Sequence, residues 1–363
     1  MGTGLLTLPY AVSKIGLFGT LVALGLAYTV SLGLYFVIAD LCRNSESSED
    51  LSAILDEHLF KSGKRRVLRT VFYVLMCLLL VENLAVYTLC AAQVISDTFS
   101  VGIPFACAVF FTVCSLAAAF GVRGLGTGET LSVSLIGAAV VFLTVLSLFR
   151  PKGAVSFSFG DPGKVFAVYG LFMFAFSAIF SVMQVCVYIK DREKTGKAVA
   201  GGLSLNAVLT VVFILSALKG SENVTPVATT GLALSVGSRA VELVCTVLVL
   251  AAMFSSFLSS GFAFSDVIRK TVRVKGYAAW LASTLPAVVC AAFLPVSVTD
   301  LLQIGAGVLS LILMSAVLPA FLDAARSPSE KLLTGRGNTP RYIALSVGIG
   351  MILMAVSSFI PID

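Results

Sequence analysis

The sequence predicts an all-α protein embedded in a membrane, and three observations predict it. The 363-residue chain is 58% apolar and 12% charged, against about 45–50% and about 25% in a soluble domain. Apolar stretches of roughly 20 residues recur along it, the length a helix needs to cross about 30 Å of hydrocarbon. These stretches are continuous and do not alternate with period two, so they fit helices and not barrel strands. A soluble chain this apolar has too few polar groups to cover its surface, so the excess faces lipid.

Taken in order, about eleven spans fall at roughly 1–14, 17–41, 67–96, 103–122, 129–149, 165–189, 198–217, 239–268, 277–294, 299–323 and 342–360. The N-terminus lacks a charged region ahead of an apolar core and a small-residue cleavage site, so the first stretch reads as structure and not as a signal peptide. Loop charge sets the orientation, because Lys and Arg favour cytoplasmic loops. With the N-terminus inside, only Lys14, Arg150, Lys152, Lys164, Lys219 and Arg239 of the 25 Lys and Arg lie outside, and 19 lie inside. One missed or invented span would invert every later loop and erase that bias. Eleven spans place Asp363 outside, in a multi-pass protein of the plasma (inner) membrane. The net charge of +6 is loop charge and implies no nucleic-acid partner.

Several residues read as structural. The eight cysteines form no C-x-x-C pair and fall almost entirely inside spans, so they read as small packing residues and not as a disulfide or zinc framework. The lone histidine, His58, lies in a charged loop and reads as solvated. The internal loop 42–66 reads as a solvated connector in which Ser52 to Phe60 forms a short amphipathic helix at the interface. Loop 218–238 is long enough to cap an outer vestibule, and its Asn223-Val-Thr225 matches a glycosylation sequon that carries no meaning in a bacterial chain.

Solute-binding chemistry in a membrane needs backbone freed from helical pairing, because broken helices present N–H and C=O groups to a charged solute near the midplane. The first such place is Gly2-Thr3-Gly4-Leu5-Leu-Thr-Leu-Pro9-Tyr10. Glycine permits unwound backbone, and proline fits the first turns of a helix that restarts. The N–H groups of Thr3, Gly4 and Leu5 would then grip a carboxylate; small-residue helix packing is the plainer alternative. The second place is Tyr169-Gly170 through Phe174-Ala175-Phe176-Ser177-Ala178 in the sixth span, where ordinary core or lipid contact is the alternative. Ser255, Ser256, Ser259 and Ser260 lie near the centre of the eighth span. Their i, i+4 spacing pairs Ser255 with Ser259 and Ser256 with Ser260 on shared faces, suited to a hard cation or to helix–helix glue. Glu82 stands mid-membrane in the third span. An acid there costs about 2.5–3.5 kcal/mol on insertion scales, so it should face the bundle interior and suits a proton or an amine. Asp40, Glu129, Glu242 and Asp266 lie near span ends, where interface solvation accounts for them.

The segment Gly2-Thr-Gly-Leu-Leu-Thr-Leu-Pro-Tyr-Ala resembles the first-helix signature of the amino acid/auxin permease family, within the amino acid–polyamine–organocation superfamily. The Phe-Ala-Phe-Ser segment with Tyr188-Ile-Lys190-Asp191 is similar to that family's sixth helix, although Met183 and Gln184 stand where members often carry a polar or charged residue and a proline. The resemblance implies the leucine-transporter (LeuT-like) fold: a five-helix repeat over 1–149, an inverted repeat over 165–323 and an extra helix at 342–360. It implies a first helix incomplete at its N-terminus, since the family's inner half-helix would precede Met1. It also implies amino acid transport by alternating access, driven by a proton or sodium gradient, with Gly2–Leu5 and Phe174–Ala178 at the substrate and the four serines and Glu82 in ion coupling. Few charges lie near these residues, so neutral or aromatic amino acids are the expected substrates. A non-transporting amino acid receptor, as in spore-germination permeases of the same superfamily, is the alternative, and a membrane scaffold a third. No nucleophile–base pair, metal cluster or phosphate loop points to an enzyme or to a cofactor beyond H+ or Na+. The partners expected are a small-molecule substrate and the bilayer.

Overall fold

The computed structural model describes residues 4–45, 51–60, 66–149, 157–221, 224, 228–272, 276–293, 298–328 and 330–360. Gly2 and Thr3 lie outside the described residues. The helices, in order, are α1 Gly4–Arg43, α2 Leu51–His58, α3 Arg66–Phe99, α4 Ile103–Ala119, α5 Gly121–Leu148, α6 Pro162–Ala175, α7 Ile179–Tyr188, α8 Arg192–Gly220, α9 Ala228–Val236, α10 Arg239–Val272, α11 Tyr277–Phe293, α12 Val298–Ile312, α13 Leu318–Ala324 and α14 Thr339–Ser357. A π-helical turn, Leu313–Val317, joins α12 to α13. Among the described residues, eight stretches are long and apolar enough to cross a membrane, and α4 and α11 are shorter apolar helices. The chain is an integral, multi-pass membrane protein.

The expected division between the first two spans is a kink inside α1. Gly16 adopts φ 70°, ψ 173°, a backbone state that side chains disfavour. Segment 157–160 backs onto it: Gly160 N–H donates to the Ile15 carbonyl (2.9 Å) and Gly19 N–H to Ser158 (3.4 Å). A Cβ at Gly16 would collide with Ser158, and one at Gly160 with the backbone of Ile15.

The starts of α6 and α8 follow ordinary capping chemistry. Asp161 caps α6 by accepting from Gly163 N–H (2.8 Å), with Pro162 at the first helical position. Asp191 caps α8 by accepting from Lys194 N–H (2.8 Å). That bond, with the nearby Lys194 charge, holds its carboxyl below the usual range. Glu193 in the first turn of α8 and Lys219 in its last complement the helix dipole.

Two long helices organise the packing. α3 and α10 are 34 residues each and lie against one another, and each precedes a 17-residue helix, α4 and α11 respectively. α3 also packs on α12 while α10 packs on α5. α1 packs on α6, α8, α14 and α7.

The end of the bundle carrying the basic loops is more ordered than a solvated connector. Leu51, Ile54 and Leu55 of α2 are buried, and the Asp56 carboxylate pairs with Arg69. His58, expected in solvent, has a side chain only 7% exposed. It bridges Ser45 Oγ (3.0 Å) and Asp323 Oδ2 (3.3 Å), and packing of α2 against α13 encloses it. Asp40, expected at an interface, is 1% exposed. Its carboxylate accepts from Leu333 N–H (2.6 Å), Thr334 N–H (2.8 Å) and Thr334 Oγ1 (2.8 Å), because the segment after α13 folds back over the end of α1. Arg43 strengthens this junction by donating to Glu330 (2.7 Å) and to the Lys190 carbonyl (2.7 Å).

Candidate substrate cavity

The sixth span is interrupted. α6 ends at Ala175, Phe176 and Ala178 leave helical geometry (φ −91°, ψ 0° and φ −140°, ψ 41°), and α7 restarts at Ile179. Such a break sets a helix C-terminus against a helix N-terminus and leaves carbonyls and N–H groups in need of partners. Two carbonyls are answered by side chains: Tyr35 Oη of α1 donates to Phe176, and Asn206 Nδ2 of α8 donates to Ala175 (3.3 Å). Phe176 itself is fully buried and packs on Phe172, with ring centroids 6.0 Å apart.

Beside the break lies a cavity of about 320 Å³, within the range of about 300–1,000 Å³ usual for small-molecule sites. Phe174, Ala175, Ser177 and Ala178 line it from the break, and Ile179, Phe180 and Ser181 from the first turn of α7. Ser255, Ser256, Ser259 and Ser260 of α10 form a second wall. Asn83 and Tyr87 of α3, one helical turn apart, form a third, with Tyr87 Oη donating to Asn83 Oδ1 (3.1 Å) and sitting against Ser260. Leu309 and Ile312 close it from α12, Leu313 from the π-helical turn, and Leu51 from α2. The cavity therefore runs from mid-bundle toward the basic end. At the opposite end α3 and α10 are tied together by Thr98–Thr246 (2.8 Å) and by Arg239 donating to the Thr98 carbonyl (3.0 Å).

Residues 174, 175, 177 and 178 and the four serines thus share one cavity, while Phe176 stands behind its wall. Gly4 and Leu5 open α1. Glu82 does not line the cavity. It is 9% exposed, neither carboxylate oxygen has a hydrogen-bond partner among the described residues, and a Cβ on Gly305 of α12 would collide with it. Glu82 therefore stands at the α3–α12 contact, one residue along from Asn83.

Sequence reasoning missed Glu129, Asn83 and Tyr87. Glu129 was expected at an interface; it lines the cavity, where among the described lining residues it is the only carboxylate and none is Lys or Arg. The signal for Asn83 and Tyr87 was their i, i+4 spacing on an otherwise apolar helix.

No family profile matches the chain, and no curated protein matches it in sequence. Solved structures do match. The fold is similar to that of Mhp1, a nucleobase-cation-symport-1 family transporter in a closed conformation with bromovinylhydantoin bound, with a TM-score of 0.70 and 13% identity over 99% of this chain and 88% of that one. It is also similar to MhsT in complex with L-phenylalanine, with a TM-score of 0.66 and 14% identity over 99% of this chain and 96% of that one. The chain has the LeuT-like fold.

Proposed function

We propose that the chain is a secondary transporter that moves a small zwitterion, an amino acid with a neutral or aromatic side chain, by alternating access. The observation that carries this reading is the cavity at the α6–α7 break, walled by backbone termini on one side and four hydroxyls on the other. The first-turn N–H groups of α7 suit a carboxylate. The carbonyls ending α6, with Glu129, suit an ammonium group. Phe174 and Phe180 suit an apolar or aromatic side chain. On this reading Gly2–Leu5 adds N–H groups to the carboxylate, the serines of α10 receive a coupling cation, and Glu82 carries a proton. The equal lengths of α3 and α10, and of α4 and α11, favour two repeats at 1–149 and 165–323, followed by an extra helix. The chemistry matches the resemblance to amino acid/auxin permeases. L-phenylalanine bound to the structurally similar MhsT is a further reason to test that solute first.

The test is uptake of radiolabelled L-phenylalanine and L-leucine into liposomes holding the purified protein, with a proton or sodium gradient imposed. Gradient-driven accumulation supports the proposal. Saturable binding with no flux would turn the reading to an amino acid receptor, and neither binding nor flux for any amino acid would end it.

A further inference from the structure

A second cavity lies on the outside of the bundle, where α12 gives way to α13. Leu318 N–H bonds back five residues to the Leu313 carbonyl, which widens the helix by one residue per turn. Pro319 follows, and proline has no N–H to restore the regular ladder. Beside this widened turn runs a trench of about 600 Å³ against α14. Met314, Pro319 and Leu322 form one wall, and Leu345, Ile349 and Ile352 the other. Gly348 lies in the trench floor with only a Leu318 methyl near the place of its absent side chain. The trench opens outward, since Leu345, Ile349 and Ile352 are 63%, 51% and 47% exposed.

One end of the trench is not apolar. Arg326, just past α13, and Arg341, in the first turn of α14, both line it, and chain order puts both at the basic end of the bundle. The acid nearest Arg326 is Asp323 at 3.9 Å, and Asp323 is already shared with His58. Among the described residues Arg341 has no ion-pair partner. Two exposed, weakly compensated guanidinium groups therefore stand where an apolar trench meets the interface.

We propose that this trench holds one anionic phospholipid, its phosphate between Arg326 and Arg341 and one acyl chain laid along the widened turn. The charge argues for an anion, and the depth and apolar walls argue for an acyl chain over free phosphate. A second copy of this chain fits poorly, because a two-fold contact through this face would set arginines against arginines. Each arginine near a lipid headgroup contributes a factor of about 5.5, so the pair favours an anionic over a zwitterionic lipid by roughly 30-fold.

The test is native mass spectrometry of the full chain released from nanodiscs containing equal phosphatidylglycerol and phosphatidylcholine with the same acyl chains. The unaltered protein should retain phosphatidylglycerol selectively. Arg326→Gln with Arg341→Gln should lose that preference by roughly 30-fold. Gly348→Phe, which fills the trench, should retain neither lipid. Lys331→Gln with Arg336→Gln, at the same end but outside the trench, should behave as the unaltered protein. Thermal midpoints of each variant report folding, and the arginine pair decides the matter if Gly348→Phe fails to fold. Undiminished selectivity in the arginine variant would overturn the proposal. So would an equal loss in the lysine control, or a lipid-free dimer that Gly348→Phe converts to monomer.

Discussion

Asp40 and Glu82 are both carboxylates buried in the bundle, at 1% and 9% exposure, and their surroundings differ completely. Asp40 is met by three donors from the segment that follows α13, while Glu82 meets none. A buried charge is stable when its hydrogen bonds are complete. An acid without them is a cost that a protein keeps for a purpose or tolerates in neutral form. Satisfaction, not burial, separates the acid that ties two distant segments together from the acid left without a hydrogen-bond partner among the described residues.

That contrast can be broken experimentally, beginning with the largest expected effect. Asp40→Ala strands the half-buried Leu333 N–H and the buried N–H and hydroxyl of Thr334 and should destabilise the protein by about 3–5 kcal/mol, read as a lowered unfolding midpoint in nanodiscs. A midpoint unchanged within error would show that the segment is anchored by other means. Gly305→Ala drives a methyl group into the Glu82 carboxylate and should cost about 1–3 kcal/mol; Gly305→Ala combined with Glu82→Ala should recover most of it, and no recovery would separate the two positions. Ser256→Ala with Ser260→Ala should change stability by about 1 kcal/mol or less while reducing any sodium stimulation of uptake at least tenfold. An intact sodium response would move the cation elsewhere. Glu82→Gln should leave stability within about 1 kcal/mol, because no bond is lost, and should abolish the proton dependence of uptake. Unchanged pH dependence in liposomes would remove Glu82 from coupling.

The spans were legible in the sequence because hydropathy is a local signal that repeats. The division near Gly16 was legible as the gap between the apolar stretches 1–14 and 17–41. The interruption after Ala175 was visible through resemblance, but the partners of its carbonyls were not: Tyr35 and Asn206 come from other helices, 141 and 31 residues away. His58 and Asp40 were misread for the same reason. Their partners lie 265 and 293–294 residues along the chain, and a sequence window holds no trace of them. Glu129 was misread because the span was set to begin there, whereas α5 begins two turns earlier at Gly121 and carries that residue to the cavity wall. The π-helical turn left no sign beyond Pro319.

Gly16 has one more consequence. A straight helix over the 40 residues of Gly4–Arg43 would measure about 60 Å, twice the thickness of hydrocarbon. A single left-handed residue instead divides it into a short arm over residues 4–15, about 18 Å long, and a long arm over residues 17–43, about 40 Å long, and only the second matches the full thickness of the hydrocarbon.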